Sequence, residues 1–99
     1  MLSYEEFKEK LVTEVTVYAP EKYKNAIVDI MGVPKAEGNV DAIIMRMPDR
    51  NSGASLNCKD LYADYVKSNS FEKTMIRCLQ SLIPYLERDD EIDIQKIMN

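Results

Sequence analysis

The sequence reads as an α+β domain: a small three-stranded antiparallel sheet backed by helices, in the order α-β-β-β-α-α. Three observations point there. Phe7, Leu11, Val15 and Tyr18 recur at helical spacing near the start. From residue 26 to 47 the period becomes extended, rich in Ile, Val and Met. A second helical stripe then runs through Phe71, Met75, Cys78, Leu79, Leu82 and Leu86. The chain has 99 residues, enough for one core, so residues 1–99 form a single domain ending in an acidic tail or short helix at 89–99.

Each element has a local cause. Ser3 and Glu6 are spaced as a capping box, and Leu2 can staple to Phe7, so the first helix starts at Tyr4 and the domain leaves no room for a leader. Pro20 disfavours helical geometry at Ala19, which ends that helix near Tyr18. Ile27, Val28 and Ile30 make a first strand and residues 40–47 a second. Residues 32–38 connect them, with Pro34, Gly38 and Asn39 as turn formers. A turn over 48–53 leads to a short third strand at 54–56. Asn57 caps the next helix, with Leu56 and Leu61 as its staple and Asp60 in its first turn. Ser68, Asn69 and Ser70 separate that helix from the last one. Pro84 predicts a kink or break near Ile83, because it removes one hydrogen bond and crowds the preceding turn.

Composition excludes several functions. Lys and Arg number 13 against 17 Asp and Glu, a net charge of −4, which disfavours direct binding to nucleic acid. Asp89, Asp90, Glu91 and Asp93 against Lys96 place −3 of that charge in the tail. No apolar run approaches the roughly 20 residues that cross a bilayer. There is no histidine, and the two cysteines, Cys58 and Cys78, form no metal-ligand spacing, so no cofactor or metal is expected and a reducing cytoplasm is the expected location. Three glycines make no phosphate-binding loop. Asp49, Asn51 and Asp60 echo a calcium loop, but Gly53 falls out of place, and a turn between strands accounts for them.

The Tyr4-Glu5-Glu6-Phe7 helix start, the hairpin, Ser55-Leu56-Asn57 leading to Tyr62 and Tyr65, and Ser70-Phe71-Glu72 together resemble the N-terminal part of an uncharacterised bacterial domain-of-unknown-function family. The resemblance covers residues 3–87. It implies an order of elements and no catalytic signature.

The candidate site is a surface. One parity of the hairpin holds Ala26, Val28, Ile30, Ala42 and Ile44, read as the core face. The other holds Ile27, Met31, Ile43, Met45 and Met47 beside Asp29 and Asp41, read as a methionine-rich partner face, the alternative being that the C-terminal tail or the second helix folds over it. Tyr62 and Tyr65, three apart on a helix, join Met31, Ile43, Met45 and Met47 as partner-binding candidates, and Asp89, Asp90, Glu91 and Asp93 would steer basic targets. The expected function is a small acidic protein-binding module without catalytic activity. One version is a mobile-element inhibitor such as an anti-CRISPR protein, entering the basic channel of a nucleic-acid-handling enzyme. The alternatives are a carboxylate hydrolase using Asp29 and Asp41 as a pair, and a structural homodimer or a regulatory domain detached from a longer protein.

Overall fold

The computed structural model describes residues 1–87. Its elements are α1 (Tyr4–Tyr18), a 3-10 turn (Glu21–Tyr23), β1 (Ile27–Lys35), β2 (Gly38–Met47), β3 (Ser52–Asn57), α2 (Cys58–Ser68) and α3 (Phe71–Glu87). This is the α-β-β-β-α-α order, and the three antiparallel strands lie side by side as β1-β2-β3. The tail candidates Asp89, Asp90, Glu91 and Asp93 lie outside the described residues.

The helix ends follow the local signals. The Ser3 hydroxyl accepts from the Glu6 N–H at 3.2 Å, and Glu6 Oε1 accepts from the Ser3 N–H at 2.9 Å, which closes the capping box. α1 stops where Ala19 turns extended (φ −60, ψ 139) ahead of Pro20. Asn57 Oδ1 accepts from the Lys59 and Asp60 N–H groups and so opens α2. Asn69 ends it in the left-handed region (φ 54), with its N–H on the Tyr65 carbonyl. Ser70 then caps α3 through its hydroxyl and the Lys73 N–H.

Three expectations need correction. α3 does not break near Ile83 but continues through Pro84 to Glu87. Pro84 and Gln80 are both exposed, so the carbonyl that loses its helical partner can face water instead of core. The hairpin connection is also far shorter than residues 32–38. β1 continues to Lys35, opposite Gly38, and only Ala36 and Glu37 lie outside the ladder. Gly38 carries φ 111, a conformation that suits glycine at the end of this turn. Pro34 is accommodated because β1 is an edge strand and asks for no N–H on its outer side.

The third correction concerns the faces. The register pairs Val28 with Met45 and Ile30 with Ile43, and residues directly opposite share a face. The helix-facing side therefore carries Val28 and Ile30 of β1, Ile43, Met45 and Met47 of β2, and Ala54 and Leu56 of β3, all part of one cluster with Phe7, Leu11 and Leu82. Ala42 and Ile44 point the other way. A turn over residues 36–37 makes odd β1 positions face even β2 positions, and that single change of parity exchanges the two faces of β2.

Candidate functional site

Four of the six partner-binding candidates among the described residues belong to the core. Ile43 and Met45 are fully buried, and Met47 and Tyr65 nearly so. They cannot form a docking surface while the fold is intact. Tyr62 is half-buried. Phe7 stacks on Tyr65 at 5.2 Å between ring centroids and meets Tyr62 edge-on at 5.3 Å. The two hydroxyls hold the backbone of Leu2: Tyr65 accepts from its N–H at 2.8 Å, and Tyr62 donates to its carbonyl at 2.9 Å. These tyrosines fasten the start of α1 to α2. Their pairing three apart was legible; their job was not, because the group they hold lies sixty residues earlier.

The proposed carboxylate pair is also separated. Asp29 stands opposite Ile44 and Asp41 opposite Gly32, so the two project from opposite faces of the sheet. Asp41 Oδ2 accepts from the Lys8 ammonium and from the Tyr4 hydroxyl, each at 3.0 Å. Lys8 also pairs with Glu5 at 3.1 Å and lies over the Tyr4 ring. The Lys8 hydrogen bond, then that of Tyr4, holds the Asp41 carboxyl below the usual range. Burial first, and the bond to Asp41 second, push the Tyr4 hydroxyl up to about 12. The Lys8 ammonium, bonded to Asp41, is held above its ordinary value. Asp41, Tyr4 and Lys8 each favour their present charge state, so the cluster is a tie between α1 and β2.

A second tie closes the other end. Glu87 receives Lys22 at 2.7 Å and the Tyr23 hydroxyl, and Arg50 Nη2 donates to the Leu86 carbonyl at 2.8 Å. A cation on the last carbonyls of α3 complements that helix's negative end. Lys22 first, then Tyr23, lowers the Glu87 carboxyl below its usual value. Cys58 and Cys78 are fully buried free thiols, pushed up to about 11 and about 12, chiefly by burial. Neither is a ready nucleophile. Among the described residues, no group of three or more His, Cys, Asp or Glu is placed to hold a metal ion.

Among the described residues, what remains exposed is the other side of the sheet. Met31 is 52% exposed and Ile27 39%, and Val33, Val40 and Ile44 are half-buried on the same face. None of these five belongs to the helical core cluster. Lys35, Val33, Val40 and Ala42 line a shallow hollow of about 250 Å³ there, and Ile44 and Arg46, with Tyr85 of α3 at the β3 side, line a neighbouring one of about 580 Å³. Gly38 is the signal that could have found this face, since it places the turn at 36–37 and hence fixes the parity.

The free edge of β1 is less available than its face. Asp29 Oδ1 accepts from the Ile30 N–H at 3.2 Å, and Pro34 has no N–H to offer. An incoming strand would find two donors missing, which is how edge strands avoid unwanted pairing. A further groove of about 510 Å³ separates α1 from α3, floored by Phe71, Met75 and Leu79 and walled by Tyr18 and Ile76. Lys10 lies over the Phe71 ring at 4.5 Å and covers part of that floor. Among the described residues, no helix is long and apolar enough to cross a membrane. The chain matches no family model, no curated protein and no solved structure.

Proposed function

We propose that this protein is a binding module without catalytic chemistry, which docks a protein partner on the open face of its sheet around Met31 and Ile27. One observation carries the reading: two large apolar side chains stand exposed on a face that gives no residue to the helical core. Exposed apolar surface on a rigid sheet is characteristic of contact sites. Tyr4, Lys8 and Asp41, and Tyr23 and Glu87, tie elements together, the two shifted thiols are enclosed, and the Asp29 and Asp41 arrangement offers no paired carboxylates. A finer version is an inhibitor of a nucleic-acid-handling enzyme. The net charge of −4 supports it, although the acids at 89–93 that would enter a basic channel lie outside the described residues.

The test is differential. Met31→Asp and Ile27→Asp are expected to weaken capture of a purified partner by at least about tenfold, the scale of a contact residue at an interface centre. Val17→Asp, at a residue exposed on α1, is expected to leave capture unchanged. Equal loss from all three variants, or none from the β1 pair, overturns the reading.

A further inference from the structure

The exposed row of β1 is self-complementary. Asp29, Met31, Val33 and Lys35 alternate onto one face, an acid at one end, a base at the other and apolar residues between. A twofold axis midway between two facing sheets, perpendicular to β1 at the level of Gly32, brings Asp29 of one copy to Lys35 of the other, twice, and Met31 to Val33, twice. We propose that the partner of this face is a second copy of the chain, with the two sheets stacked face to face and β1 antiparallel over β1. The inference rests on the reading of this face as a docking surface and names its occupant.

The geometry favours stacking over edge pairing. A twofold axis normal to the sheet at the level of Gly32 would instead pair Ile30 with Pro34 along the β1 edge, where one N–H already belongs to Asp29 and the other does not exist. Stacked sheets instead lie about 10 Å apart, a gap that opposed Asp and Lys side chains can span. Asp29 spends Oδ1 on the Ile30 N–H at the β1 edge, beside a groove it shares with Glu5 and Glu9 of α1, and is exposed, which leaves Oδ2 for Lys35 of the other copy. Ile44 and Val40, the half-buried neighbours on β2, complete the apolar centre.

The area sets the strength. Strands about 4.8 Å apart, about 30 Å long in β1 and β2 and about 20 Å in β3, give a patch on the order of 400 Å² per copy. Stable interfaces bury about 800 Å² per partner, so this dimer is transient and concentration-dependent. Two exposed ion pairs at its ends also make it weaken as salt rises.

Sedimentation of the full chain over a range of concentrations tests the idea. The expected result is a reversible monomer–dimer equilibrium that Met31→Asp abolishes and that salt weakens. Two charge variants provide the sharper arm. Lys35→Glu sets two acids opposite each other in the dimer, and Asp29→Lys sets two bases, so each chain alone is expected to dimerise at least about tenfold less well. Mixed together they restore both pairs, and a heterodimer is expected. That recovery cannot come from misfolded protein.

A chain that stays monomeric at about 1 mM, where even weak contacts of about 4 kcal/mol register, overturns the inference. So does a mixture that fails to recover. A monomeric chain whose Met31→Asp variant still loses a different protein partner sinks the second copy alone; loss of neither sinks the docking surface as well.

Discussion

Val28 stands directly opposite Met45 in the β1–β2 ladder, and both project toward the helices. The pairing decides which face of the sheet is core. It also makes a prediction that separates two methionines of one type. Met45→Ala should cost about 2–5 kcal/mol, because it leaves a cavity in a fully packed site. Met31→Ala should change stability by no more than about 0.5 kcal/mol. Urea unfolding of both variants checks this, and similar costs would mean that the register is wrong.

The Tyr4–Lys8–Asp41 cluster predicts stability losses at both ends of the pH scale. Asp41 is held below its ordinary range, so its contribution is present above the unfolded carboxylate value near 4 and lost as pH falls through the folded one. Tyr4 is raised from 10.0 to about 12, so its contribution is present below pH 10 and lost as pH climbs from 10 to 12. Asp41→Asn should flatten the acid limb of a melting-temperature profile and return Tyr4 toward ordinary phenol titration, read by ultraviolet absorbance.

Tyr65→Phe keeps the ring against Phe7 and removes the acceptor for the Leu2 N–H. A cost of about 1 kcal/mol is expected, with an unchanged denaturant slope. Tyr62→Phe should cost a similar amount through the Leu2 carbonyl. The double variant should fall short of the sum, since both hydroxyls hold one residue.

The two thiols should be inert in the folded chain. Burial pushes Cys58 to about 11 and Cys78 to about 12, and both are enclosed. Labelling by a thiol reagent, followed by mass spectrometry, should proceed only at the rate of chain opening and accelerate sharply in denaturant. Rapid labelling of either one in native buffer would contradict the packing of α2 on α3.

The parts of the fold legible in the sequence are those whose cause is local. Ser3 with Glu6, Asn57 with the two N–H groups after it, and Pro20 behind Ala19 each act within three residues, and each appears where its spacing places it. Strand faces are different. Residues 40–47 are apolar at both parities, so alternation cannot say whether Ile43 or Ile44 is core. Only the turn decides, and moving it to Ala36 and Glu37 turns Met45 inward while leaving Met31 outside. Tyrosine burial was equally hidden, because Tyr65 is enclosed by Phe7 and Phe71, residues that sequence distance does not bring together.

The sheet is a meander of adjacent hairpins, whereas its helical cover comes from both ends of the described chain. On the ribosome the strands emerge well before α3. A nascent chain therefore carries Ile43, Met45 and Met47 without the α3 part of their cover until Leu82 and Leu86 have left the exit tunnel, and that interval is when chaperone capture or aggregation would act on it.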